Sequence, residues 1–256
     1  MAELLVVPAL LAYGEAAFAY VGELRGPGLA GRLATWGVRL GWLAQTALLV
    51  GQAASAEGFP WGTWAGSLNL FVWLVVGAYL IWGCTPRFRL LGLAVMPVAA
   101  VLLALAWAGG GTTFEKGDRP GVVLAVHVAL MLAAFAGLTL AAGMAGLYLW
   151  QERRLKRHER GVLKVRVPPL EALDRLAART VVGSFGLLTL GIGVGAARFN
   201  RGDFDAAMAV TLGVWATYAS MLVLRHEGWR GRRSALVNLV GFAFVAIVLP
   251  LTHFAS

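Results

Sequence analysis

Long apolar runs separated by short, mostly basic connections organise this chain from one end to the other. Eight stretches approach the ~20 residues that a helix needs to cross a hydrocarbon core. The first four run from Ala2 to Leu24, Leu33 to Ala53, Trp64 to Gly83 and Leu90 to Gly109. The second four run from Val122 to Gln151, Ala172 to Arg198, Ala207 to Leu224 and Ala235 to Thr252. The fifth and sixth are long enough to project beyond a bilayer as helix. Membrane barrel strands would instead alternate over segments of about 10 residues. The pattern therefore predicts an all-α integral membrane protein with eight transmembrane helices.

The connections predict its orientation, because lysine and arginine are enriched in short loops on the cytoplasmic side. Arg25 and Arg32 follow the first run, Arg87 and Arg89 the third, and Arg225, Arg230, Arg232 and Arg233 the seventh. The connection after the fifth is the most basic, with Arg153, Arg154, Lys156, Arg157, Arg160, Lys164 and Arg166. The opposite side holds only Lys116, Arg119, Arg198 and Arg201. Both termini of this multi-pass protein are thus expected on the outer side. Glu3 stands where a signal peptide would carry positive charge, so the first span is expected to be retained. The one sizeable connection, Glu152 to Glu171, contains Pro168 and Pro169, which stop one helix before the next begins. No repeat or long polar linker divides the chain, and residues 1–256 are expected to form a single transmembrane domain.

Composition agrees with that class and narrows the partners. The 256 residues are 59% hydrophobic and 14% charged, with a mean hydropathy of +0.73. A formal charge of +9 would suit nucleic acid if it formed a basic face on a soluble fold. Here it falls between apolar runs, so membrane topology and lipid contact account for it. The single Cys84 excludes an intramolecular disulfide and a Cys-rich metal site within one chain. Motifs for catalysis are missing: there is no HExxH pair, dinucleotide fingerprint, P-loop or nucleophile elbow. Catalysis is not indicated.

Polar groups inside the apolar runs are few, and each is costly in lipid unless it is paired or functional. Glu15 and Arg39 would offset each other as an ion pair, while Gln45 and Asn69 suit hydrogen bonds between helices. The same four residues could line the midplane site of a small-molecule transporter. His158 and His226 fall in basic loops and read as solvated. His127 and His253 differ, since they lie near the same predicted membrane face on the fifth and eighth runs. Histidine is a common axial ligand of haem iron, and the neighbouring outer loops carry Phe59, Trp61, Trp64, Phe114, Phe199 and Phe204. One reading is a haem site with His127 and His253 on the iron, Trp61, Trp64 and Phe204 along the porphyrin, and Arg198 and Arg201 at its propionates. The other is a set of interfacial anchors hydrogen-bonded to water or headgroups.

Several segments resemble one family. Phe204 to Ala219 reads FDAAMAVTLGVWATYA, Gly228 to Arg233 reads GWRGRR, and the helix opened by His127 ends LYLWQERRLK at Lys156, followed by VPPLE at Val167 to Glu171. Together with PWGTWAGSL at Pro60 to Leu68, these resemble the cytochrome c assembly superfamily of haem-handling proteins typified by CcsA, and most of all its shorter HemX and YpjD branch. Phe204 and Asp205 fall on the family's Trp-Asp pair, and Trp215 and Tyr218 on its later aromatics.

The resemblance implies that His127 and His253 bind haem b at an outward site, serving cytochrome c biogenesis or haem homeostasis. Implied partners are haem and either the apocytochrome c machinery or a haem-biosynthesis enzyme recruited by the basic cytoplasmic loops. Gln45 and Val223 stand where the relatives carry further, intramembrane histidines. That substitution argues against a relay of haem from the cytoplasm.

Overall fold

In the computed structural model each of the eight apolar runs forms a helix. Residues 2–23, 28–55, 63–83, 91–113, 121–157, 168–197 and 206–254 are described, with residues 2, 3, 23, 55, 82, 83, 206, 207 and those from 245 onward by backbone alone. After a 3-10 turn at Ala2–Leu5 come α1 (Val6–Glu23), α2 (Leu29–Ser55), α3 (Trp64–Gly83) and α4 (Gly92–Ala108). Then follow α5 (Val122–Lys156), α6 (Leu170–Ala196), α7 (Ala206–His226) and α8 (Arg232–Phe254). Among the described residues there is no strand, and helices suit a lipid-facing chain because they satisfy their own backbone groups. Four helical segments among the described residues are long and apolar enough to cross a membrane, namely Trp64–Ile81, Val122–Lys156, Leu170–Ala196 and Met208–His226, and Val6–Gly22 and Gly92–Ala108 are shorter apolar helices. At 35 residues, α5 rises about 52 Å, well past a hydrocarbon core of about 30 Å.

The chain divides into two compact units, Met1–Ala125 with Leu163–Val167, and Val126–Val162 with Pro168–Ser256.

In the first unit α1 lies against α2 because Gly37 and Gly41, four residues apart, clear one face of α2. A Cβ on Gly41 would stand 2.6 Å from the ring of Tyr13, and one on Gly37 2.9 Å from Glu15 Oε2. That approach brings the fully buried Tyr13 hydroxyl to Gln45, donating to Oε1 at 2.8 Å. Gln45 Nε2 in turn donates to the Asn69 side-chain oxygen at 2.9 Å and to its carbonyl at 3.0 Å. Asn69 Nδ2 donates to Gly111 O at 3.2 Å, while Gln52 Nε2 donates to Thr113 O at 2.8 Å and Gly111 O at 3.3 Å.

Gln45, Gln52 and Asn69 are wholly buried, and both ends of the Gln45 amide are occupied. A buried amide would otherwise cost about 1–3 kcal/mol. The expected hydrogen bonding of Gln45 and Asn69 between helices is thus present, each being a partner of the other, and Asn69 with Gln52 holds the turn after α4 against α2 and α3. The expected ion pair is not: among the described residues no salt bridge joins Glu15 to Arg39. The helical repeat explains it, because Gly37 faces α1 and Arg39 is turned about 200° from Gly37. The Arg39 guanidinium lies 5.2 Å from the centre of the Trp36 ring.

The second unit is built on a seam of α5, where Ala134, Leu138 and Ala141 pack with Val181 and Leu188 of α6 and Val214, Tyr218 and Met221 of α7. Spacings of three and four keep those α5 residues on one face. Tyr218 also donates to Asn238 Oδ1 of α8 at 3.4 Å. At the α5 C-terminal end, Arg225 grips Asp174 with two bonds of 2.7 and 3.0 Å, and Gly231 N–H donates to Asp174 Oδ1 at 3.0 Å. Neighbouring helices therefore alternate in direction, and α8 runs from this end toward the end where α5 begins.

Candidate functional site

His127 stands in the second turn of α5 and continues the seam that Met131, Ala134 and Leu138 form farther along the same face. Opposite it α6 reads Gly191-Ile-Gly-Val-Gly195. The Nδ1 atom of His127 lies 2.7 Å from the Gly191 carbonyl oxygen. A carbonyl only accepts, so Nδ1 carries the proton and donates it. In the neutral ring the lone pair is then on Nε2, which has no hydrogen-bond partner among the described residues.

Glycine makes this seat possible. A Cβ on Gly195 would come 2.8 Å from both Cε1 and Nδ1 of the imidazole. On Gly191 it would come 2.9 Å from Met131 Sδ. Two small residues one turn apart let α6 approach α5 closely enough for a backbone carbonyl to reach the ring. A metal-ligating histidine characteristically donates its second N–H to a carbonyl or carboxylate, which sets the tautomer and raises the basicity of the ligating nitrogen. His127 has that arrangement. Haem iron takes four ligands from the porphyrin and needs only axial ligands from protein, so one such imidazole with a partner fits it.

Around this seat the aromatic residues tie α6 to α7. Trp215 Nε1 donates to Thr189 Oγ1 at 3.0 Å, and the Trp215 ring stands 5.4 Å from that of Phe185. Trp215 and Tyr218, singled out by the resemblance, thus serve helix packing in the second unit.

Of the other residues expected at the site, Trp64 opens α3 in the first unit, exposed, with its ring against Gly109. His253 falls in the last turn of α8, and its side chain lies outside the described residues. Trp61, Arg198, Arg201 and Phe204 lie outside them too. The carbonyl of Gly191 and the clearance at Gly195 were not read from the sequence. The glycine spacing in 191–195 was the available signal.

Residues 61–254, from the approach to α3 through α8, match the family model for "Cytochrome C assembly protein". This chain belongs to the cytochrome c assembly family. It is 31% identical over 142 residues to the inner membrane protein YpjD of Escherichia coli K12, a match covering 54% of this chain and 51% of YpjD. The chain thus spans about half the length of that relative. It is 26% identical over 268 residues to the cytochrome c biogenesis protein CcsA of Microcystis aeruginosa, covering 83% of this chain and 82% of CcsA. CcsA of Prochlorococcus marinus MIT 9303 is 25% identical over 246 residues, covering 82% and 77%. No solved structure matches. This cytochrome c assembly protein is a multi-pass helical membrane protein, and the matched region contains both His127 and His253, while α1 and α2 precede it.

Proposed function

We propose that this protein binds haem b between His127 and His253 on the outer side of a bacterial cytoplasmic membrane, as a haem-handling component of cytochrome c biogenesis of the YpjD and HemX type. The observation that carries the reading is the bond from His127 Nδ1 to Gly191 O, which presents Nε2 with its lone pair free. The direction of α8 supports the pairing, since its last turn lies toward the end of the unit where α5 begins. In this reading all eight helices span the membrane with both termini outward, Phe204 meets a porphyrin face, and Arg198 and Arg201 meet the propionates. The bonded state of Gln45 favours receipt or storage of haem at the outer surface over passage from the cytoplasm. Both its amide ends are taken by Tyr13 and Asn69, leaving no group there to receive iron.

The test is spectroscopic. Protein purified from haem-replete cells should show a Soret band that His127→Ala and His253→Ala each weaken and the double variant abolishes. A preparation with no Soret band, or one indifferent to both substitutions, removes the reading.

A further inference from the structure

The opposite end of the second unit holds a cavity of about 600 Å³ lined by Tyr148, Glu171, Asp174, Arg175, Arg225, Arg230 and Gly231. We propose that it is a binding site for a phosphate ester of net negative charge, unlike the choline-balanced phosphate of phosphatidylcholine, taken from an anionic lipid headgroup or a small soluble metabolite. The proposal does not depend on haem.

The charges in the wall are not equivalent. Asp174 is spent on Arg225: both carboxylate oxygens take guanidinium N–H groups, one also takes the Gly231 N–H, and Arg225 donates further to Ser234 Oγ at 3.1 Å. The two side chains are 15% and 18% exposed, so this neutral pair forms a fixed floor. What remains is Arg175, Arg230, the Tyr148 hydroxyl and Glu171. Glu171 pairs with Arg175 one turn along α6, but both side chains are largely exposed, and such pairs hold weakly against water. An anion richer in acceptors than one carboxylate can displace it. Arg230 is exposed, and the Tyr148 hydroxyl has no hydrogen-bond partner among the described residues. Two guanidinium groups and a phenol around an open cavity match the oxygens of a phosphate.

Gly231 contributes by what it lacks. Its φ of +64° is a left-handed conformation, and a Cβ there would stand 2.8 Å from the Tyr148 hydroxyl. The glycine keeps that hydroxyl at the cavity wall. Trp150 and Trp229 flank the same end, each under an arginine, with Arg154 4.5 Å and Arg233 5.3 Å from the ring centres. Tryptophan and arginine together mark headgroup depth in a membrane protein, where phosphates are.

The experiment uses the full chain in phosphatidylcholine nanodiscs and reads thermal unfolding. Replacing part of the lipid with phosphatidylglycerol should raise the melting temperature, with half-effect at least about tenfold higher in lipid fraction for Arg175→Gln/Arg230→Gln, as loss of two charge-assisted bonds requires. Tyr148→Phe should shift it in the same direction by less. A rise produced by glycerol 1-phosphate in pure phosphatidylcholine discs, and lost in the same variants, assigns the site to a soluble ester. Equal responses in wild type and variants overturn the proposal. So does an equal loss in Arg153→Gln/Arg157→Gln, which removes the same charge outside the cavity.

Discussion

His127 and Gly191, on adjacent helices, are joined by a 2.7 Å hydrogen bond from an imidazole nitrogen to a peptide oxygen. The ring cannot rotate without losing that bond, and Gly195 leaves no slack beneath it. Gly195→Ala should therefore displace the imidazole while leaving it in the sequence. Loss of the partner that orients a metal ligand costs about 10–100-fold in affinity, so haem titration of this variant should show weakening of that order. Gly193→Ala is the control, because a Cβ there meets nothing within 4 Å; its titration should match wild type.

The same bond makes a prediction about redox chemistry. Donation from Nδ1 to a carbonyl makes Nε2 a stronger donor to iron, and a stronger imidazole donor favours the ferric state. Where Gly195→Ala still retains haem, its midpoint potential should rise above that of wild type in a potentiometric titration. An unchanged or lower potential means that the carbonyl does not tune the ligand.

Much of this was legible in the chain and some was not, for physical reasons. Apolar length alone marked all eight helices, because a helix in lipid leaves little freedom of outline. Interhelical hydrogen bonds from Gln45 and Asn69 were expected because amides buried in lipid need partners, though that they would find each other was not. The Glu15–Arg39 pair failed because opposite charges in neighbouring spans say nothing about rotation about the helix axis, and Gly37 fixes that rotation. Of the haem reading, His127 was legible as an odd polar group at a span end, whereas its partner is a main-chain carbonyl. Backbone acceptors have no letter in a sequence, and only the glycine spacing of 191–195 hinted that one was approachable.

The buried amides of the first unit should behave as one network. Gln45→Leu strands the Tyr13 hydroxyl and the Asn69 side-chain oxygen, and Asn69→Leu takes one of two acceptors from Gln45 Nε2 and one of two donors from Gly111 O. Each should destabilise by about 1–3 kcal/mol, read as a lower melting temperature in detergent. The double variant should cost less than the sum of the two, because the second substitution removes a group that the first has already stranded. Strict additivity would mean that the two side chains do not share their energy.

Asp174 and Arg225 give the last prediction. Removing one member leaves a largely buried charge facing its empty place, so Arg225→Met should cost about 3 kcal/mol, near the lower end for broken buried pairs because some solvent reaches this one. Asp174→Asn should cost less, since the amide oxygen still accepts from Gly231 N–H and from one arm of the guanidinium. Combining Asp174→Leu with Arg225→Met removes both charges and should recover much of the loss of Arg225→Met alone, apart from the orphaned Gly231 N–H. Denaturation in a mild detergent measures all three. A double variant no more stable than Arg225→Met would show that Gly231, held by Asp174 in its left-handed turn, matters more to this end of the unit than the charge pair itself.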